Sequence, residues 1–161
     1  MPECIVVTKL DADTVQALVG MLASKTVALD VEGIDLGRFG AVSIVQLATR
    51  ARTFVFDVLG RTPADPVVQF LRASLEDANT VKVVHDCRMD SDALQHCLGI
   101  KLRNVHDTAC WHAALTGERE AGLHALAACY TCKGRYRALH HFYAQLCPAC
   151  AELNYAKRTQ R

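Results

Sequence analysis

The chain reads as a mixed α/β domain, in which a three-stranded antiparallel meander is followed by strands alternating with helices. Between Thr26 and Leu59 three β-rich runs follow one another with only tight turns between them. From Asp65 onward, short apolar runs of strand length alternate with amphipathic runs of helix length. The size agrees: 161 residues, 51% of them hydrophobic, can bury one core.

Ile5 to Thr8 forms the first expected strand. Asp13 or Thr14 then caps a helix through Leu22 whose apolar stripe is Val15, Leu18, Val19 and Leu22. The runs Thr26–Ile34, Val42–Thr49 and Thr53–Leu59 supply the meander, with Gly37 and Gly40 permitting a tight reversal between the first two. Asp65-Pro66 is a helix start, cap followed by proline, for a helix reaching Leu75. Val81–His85 is a short strand, Met89–Leu98 a helix closed by Gly99, Leu102–Val105 another strand, and Thr108–Leu115 a further helix. From Leu123 onward only helix or loop is expected. There is no repeat, no low-complexity tract and no long linker, so residues 1–161 read as one domain, with 123–161 a helical, basic, cysteine-rich C-terminal segment.

The net charge of +1 conceals an asymmetry. Residues 1–117 carry 11 Lys/Arg against 14 Asp/Glu, while residues 118–161 carry 7 against 3. An acidic body with a basic end suits a protein that gathers cations in one place and phosphates in another; a solvated helix face would give the same count. No run is apolar enough to cross a bilayer, and no signal stretch opens the chain. The eight cysteines are therefore expected in a reducing compartment, cytoplasm or nucleus, as thiols rather than disulfides. Cys4, Cys87, Cys97 and Cys110 have no pairing pattern and are expected in the core or on helix faces; Trp111 and His112 are expected to pack.

The chemistry concentrates in Val27-Ala28-Leu29-Asp30-Val31-Glu32. Side chains alternate across a strand, so Val27, Leu29 and Val31 share one face and Ala28, Asp30 and Glu32 the other. Two carboxylates on one face of so apolar a strand repel each other, and a divalent cation between them reverses that cost, because Mg²⁺ takes hard oxygen ligands. A strand end where both acids simply meet water is the alternative.

The stretch Leu29-Asp30-Val31-Glu32-Gly33-Ile34-Asp35-Leu36-Gly37-Arg38-Phe39-Gly40, running on to Val45-Gln46-Leu47-Ala48-Thr49, resembles the first exonuclease motif of the DEDD superfamily of 3'-5' exonucleases, ribonuclease D-like and in particular Egalitarian-like exonuclease-domain proteins. Lys82–Leu94, with His85-Asp86-Cys87-Arg88-Met89-Asp90-Ser91, is similar to that group's second motif, and Asn104-Val105-His106-Asp107-Thr108 to its next. Asp57 stands where relatives often carry an acid after the third strand. The resemblance implies a ribonuclease H-like mixed sheet flanked by helices. It also implies a two-metal site of Mg²⁺ or Mn²⁺ that hydrolyses terminal phosphodiesters. Carried onto this chain, Asp30, Glu32 and Asp90 are the catalytic and metal-binding residues, with Asp86 a weaker claimant than Asp90. Asp92 is expected on a solvated side of the helix and His85 in a structural role. Arg38 either reaches a phosphate or stabilises its turn. The implied partner is single-stranded nucleic acid, RNA rather than DNA, with a protein partner in an RNA-processing or RNA-transport complex as a further expectation, and no membrane.

The superfamily closes its site with a third motif, Tyr or His followed by Asp. No Asp follows Asp107; the later acids are Glu118, Glu120 and Glu152, and Pro148 and Ala149 stand where Tyr or His would precede Glu152. Either the sequence is a piece cut before that motif, or the domain is degenerate and binds RNA or a protein without cutting. In the basic segment, Cys129, Cys132, Cys147 and Cys150 form C-x2-C-x14-C-x2-C, a pattern able to close a tetrahedral Zn²⁺ site. The helical pattern of Leu123–Cys129 and Tyr136–Leu146 offers the other reading, small apolar cysteines on helix faces. Arg135 and Arg137, with Lys157, Arg158, Arg161 and the rings of Tyr136, Phe142 and Tyr143, could line a nucleic-acid path or belong to an amphipathic helix.

Overall fold

The computed structural model describes residues 3–117, together with Ala149, Glu152 and Ala156, all three helical. The chain divides into two units, Met1–Thr108 and Ala109–Arg161. The sheet and the candidate acids Asp30, Glu32 and Asp90 belong to the first.

In chain order the elements are β1 (Glu3–Val7), α1 (Ala12–Leu22), β2 (Thr26–Ile34), β3 (Ala41–Ala48), β4 (Arg52–Asp57), α2 (Pro66–Glu76), β5 (Val81–Val84), α3 (Arg88–Leu98), β6 (Val105–Asp107) and α4 (Thr108–Thr116). The six strands form one sheet in the order β1-β4-β3-β2-β5-β6. Strand β3 is antiparallel to both of its neighbours, and every other pair is parallel. The meander β2-β3-β4 is therefore as expected, and the strand-helix alternation after it builds the parallel side. This mixed sheet flanked by helices is the ribonuclease H-like architecture. It places the N-terminus of α3 beyond the end of β5, the strand beside β2.

The alternation in β2 holds: Val27, Leu29 and Val31 are buried, and Ala28, Asp30 and Glu32 are exposed. The buried residues join Val45 and Leu47 of β3, Phe54 and Phe56 of β4, and Leu71 and Leu75 of α2 in one core. A bulge between Glu32 and Gly33 shifts the β2–β3 register just past the second acid. Helix α2 starts as expected, Pro66 at its first turn and the Asp65 side chain accepting from Val67 N–H at 2.8 Å.

Several expectations are corrected. The cap of α1 is Asp11, whose carboxylate accepts from Thr14 N–H at 3.0 Å, not Asp13 or Thr14. Leu18 and Met21 are the residues of α1 that bury, while Val15, Val19 and Leu22 stay about half exposed. The apolar arc is wider than the contact it makes, so packing decides the helix rotation. The last strand is Val105–Asp107, not Leu102–Val105, because its partners on β5 are Lys82, Val83 and Val84. Trp111 lies on α4, no residue of which is buried, and is 58% exposed rather than enclosed in a core. Cys87 and Cys97 lean on the core, but Cys4 is exposed on β1 and Cys110 exposed on α4.

Lys82 was read only as part of an apolar strand. Alternation turns it to the inside, where it is fully buried and its ammonium donates to the carbonyls of Asp77 and Thr80, the latter at 2.8 Å. Burial lowers its pKa, and the nearby Asp77 carboxylate works against that.

Candidate functional site

Asp30 and Glu32 stand two residues apart on the exposed face of β2. Directly across from Asp30 in the register is Gln46 of β3, whose Nε2 donates to Asp30 Oδ2 at 3.2 Å. This orients one carboxylate without adding a positive charge. Asp90 sits in the first turn of α3 and is 8% exposed. Its carboxyl is pushed up to about 6, first by burial and then by the negative charges of Asp30, Glu32, Asp86 and Asp107. The helix N-terminus would by itself favour the ionised form, so the neighbouring acids and burial outweigh it. The charges of Asp30 and Glu32 thus reach Asp90 through space, and no cation is among the causes that set its charge state.

The position of Asp90 depends on how α3 begins. Cys87 occupies the cap position and makes no side-chain cap bond, and Asp86 is held at φ +54°, a conformation uncommon outside glycine. The capping is done from another strand. Asp107 at the end of β6 accepts from Asp86 N–H at 2.9 Å and from Cys87 N–H at 2.8 Å. The next residue, Thr108, donates its hydroxyl to the Val84 carbonyl at 3.1 Å and meets His85 Nδ1 at 2.9 Å, which leaves Nδ1 as the donor there. The Asp-Thr pair therefore locks the β5–α3 junction, with the His85 ring tied into it. Sequence reasoning singled out Asp107-Thr108 only as a motif match. Its signal was an acid at a strand end followed by a hydroxyl residue, which has no local reading because the partners lie 20 to 24 residues away in sequence.

Asp86 forms a two-bond ion pair with Arg88, at 2.7 and 2.9 Å, which holds its carboxyl below the usual range. Asp86 is thus engaged with a cation, while the Asp90 carboxyl feels the negative charges of Asp30 and Glu32. Asp57 accepts from Leu59 N–H at 3.3 Å and serves its turn.

Asp92 is not a solvated bystander. It accepts from Arg38 N–H at 2.8 Å and from the Arg38 guanidinium at 3.0 and 3.4 Å, with His96 Nε2 at 3.6 Å. The Arg38 hydrogen bond keeps its carboxyl below the ordinary value. Of the two roles open to Arg38, this geometry builds the turn-stabilising one, tying the β2–β3 turn to α3.

Mg²⁺ and Mn²⁺ require hard oxygen donors and negative potential, and Asp30, Glu32 and Asp90 provide both. Among the described residues no group of three or more His, Cys, Asp or Glu side chains stands already gathered to hold a metal ion. Cys129, Cys132, Cys147, Cys150, Arg135, Arg137 and the aromatics among them lie outside the described residues, as do Glu118 and Glu120. Glu152 is exposed on a helical residue. No helix among the described residues is long and apolar enough to cross a membrane.

A family model described as 3'-5' exonuclease matches residues 6–142. Over 84 residues the chain is 40% identical to the piRNA biogenesis protein EXD1 of Xenopus laevis, a match covering 52% of this chain and 19% of that protein. The Mus musculus protein of the same name is 36% identical over 94 residues, 57% of this chain and 16% of that one. Among solved structures, Trypanosoma brucei RNase D in complex with GMP superposes with a TM-score of 0.65 at 28% identity, covering 77% of this chain and 40% of that one. The same RNase D with RNA U12 gives 0.60 at 30%, covering 71% and 40%. The chain thus spans less than half the length of these relatives. The match to the family model and the acids in its motif order lead to one conclusion: the chain belongs to the 3'-5' exonuclease family, within the DEDD superfamily that includes RNase D and EXD1.

Proposed function

We propose that this domain trims single-stranded RNA from its 3' end by metal-dependent hydrolysis, with Asp30, Glu32 and Asp90 as the metal-holding residues. The observation that carries the reading is that Asp30 and Glu32 share the exposed face of β2 while Asp90 sits in the first turn of α3, the helix that packs against β2 and β3, close enough for their charges to push its carboxyl up. Three acids at the family's motif positions press on one another, and a divalent cation is the simplest partner that relieves them. Bound Mg²⁺ or Mn²⁺ would supply Lewis acidity for the attacking water and for the leaving oxygen. The chain's own contribution is placement. Strand β2 fixes Asp30 and Glu32 at a spacing of two, Gln46 orients Asp30, and the Asp107 clamp holds the β5–α3 junction from which the first turn of α3 carries Asp90. Asp90, partly protonated near neutral pH without a cation, loses its proton when positive charge arrives, so loading the site releases protons. RNA rather than DNA is favoured because relatives are named for RNA pathways and one was solved with RNA. Eight cysteines in a sequence with no secretory signal pattern fit a reducing cytoplasm or nucleus.

The test is incubation of the purified protein with a 5'-labelled single-stranded RNA and its DNA counterpart, with Mg²⁺, with Mn²⁺ and with EDTA. Shortening from the 3' end that needs the metal and disappears in Asp30→Ala supports the proposal. RNA binding without turnover, unchanged by Asp30→Ala, would instead assign a silent binding module. Zinc in the metal content of the protein would support the four-cysteine cluster at 129, 132, 147 and 150 as a separate site.

A further inference from the structure

The turn between β2 and β3 is built more rigidly than a surface turn needs to be. Arg38 commits both its backbone N–H and its guanidinium to Asp92 on α3. Cys97 Sγ approaches the carbonyls of Gly37 and Gly40 at 3.6 and 3.5 Å, and Gly40 N–H closes on the Gly37 carbonyl at 3.3 Å. A Cβ on Gly40 would stand 2.0 Å from the Asp35 carbonyl oxygen, so the chain is pressed against itself there. Yet the side chain that this turn presents, Phe39, is 96% exposed. Nothing in the turn's own stability calls for a phenyl ring held out in water by so many constraints.

The surroundings give the ring a context. Met89, immediately before Asp90, is half exposed, and its Cε would come within 2.9 Å of a Cβ on Gly37, so it lies against the same turn. Ile34, two residues beyond Glu32, is also exposed. Exposed apolar groups thus adjoin the candidate acids in the chain, Met89 next to Asp90 and Ile34 two residues past Glu32, with Met89 lying where the β2–β3 turn meets α3. A set of carboxylates can engage a phosphodiester through cations but has no hold on a base. Aromatic rings supply that hold, because every base has a π face, and a preorganised ring loses little freedom on stacking. A protein partner would meet three scattered apolar side chains around uncompensated acids, a poor core for a hydrophobic interface.

We propose that Phe39, backed by Met89, is the stacking platform for a nucleobase near the 3' end of single-stranded RNA. This rests on the exonuclease reading above and assigns a positioning role rather than a catalytic one. The experiment measures binding of a 5'-labelled ten-nucleotide single-stranded RNA by fluorescence anisotropy, in Ca²⁺ to hold back cleavage. Oligomers carrying one abasic residue at each of the last three positions are compared with the intact one. Phe39→Ala is expected to weaken binding about tenfold, the loss of one stacked base, with Phe39→Trp restoring it. In turnover with Mg²⁺ the change falls on KM rather than kcat. One abasic oligomer should bind the wild type about tenfold more weakly, yet bind Phe39→Ala no worse than the intact RNA does. Intact affinity in Phe39→Ala, or abasic and Phe39 losses that simply add, overturns the platform while leaving the nuclease reading standing. Absence of both RNA binding and metal-dependent trimming in the wild type overturns both. Because the ring is exposed, an unchanged melting curve for Phe39→Ala will confirm that folding is not what has been altered.

Discussion

Replacing Asp90 by Asn should make the metal-free protein more stable at neutral pH while removing its activity. The carboxyl of Asp90 is raised from 3.8 to about 6 in the folded chain. Below about pH 4 it is protonated in both folded and unfolded states, and ionisation costs nothing. Above pH 6 it is ionised in both, but in the folded state it is ionised against burial and against Asp30 and Glu32. The difference of about two pKa units corresponds to about 3 kcal/mol of stability, lost as pH rises through this window. An Asn of the same shape cannot ionise, so Asp90→Asn should recover up to about 3 kcal/mol at pH 7.5, on the order of 10 °C in melting temperature, and close to nothing at pH 4. The assay is thermal unfolding of both proteins in EDTA across pH 4 to 8, repeated with Mg²⁺ or Mn²⁺. At a hundred times its dissociation constant the cation should raise wild-type stability by about 2.7 kcal/mol and leave the variant nearly unmoved. A variant less stable than wild type at pH 7.5, a gap that does not change with pH, or equal stabilisation of both proteins by the cation would refute the reasoning. The first two outcomes would deny the electrostatic cost; the third would deny that Asp90 helps hold the ion.

The remaining predictions concern the scaffold. Asp107→Ala strips the shared acceptor from the Asp86 and Cys87 N–H groups and should cost about 2–4 kcal/mol, read by urea unfolding, with faster hydrogen exchange at those two amides. If those amides exchange as in the wild type, Asp107 does not hold the junction. Gly40→Ala forces a methyl onto the Asp35 carbonyl and should destabilise the protein by about 3 kcal/mol, seen as a lower urea midpoint at unchanged m-value. A midpoint within error of the wild type would show that the turn can relax.

Much of the domain was legible in the residue order because the relevant signals are local. Alternation in Val27–Glu32 is a property of any strand, so the pairing of Asp30 with Glu32 on one face followed before any tertiary contact was known. Asp65-Pro66 and Gly99 marked helix ends by backbone chemistry alone, and the runs between Thr26 and Leu59 were separated too briefly to pair in any way but antiparallel. The motif order from Asp30 to Asp107 carried the family with it.

What depended on the folded arrangement are the contacts between groups distant in sequence. Nothing near Asp92 announces Arg38, 54 residues earlier, and nothing near Asp107 announces the Asp86 and Cys87 amides. The stripe expected of α1, Val15, Leu18, Val19 and Leu22, buries only at Leu18, with Met21 in place of the others, because an apolar arc wider than its contact fits several rotations and only packing selects one. The charge state of Asp90 belongs to the same class. Residue identity establishes that it is an acid, but whether it ionises depends on burial and on Asp30 and Glu32, which only the packing of α3 beside β2 brings to bear, since electrostatic energy follows distance in space rather than along the chain.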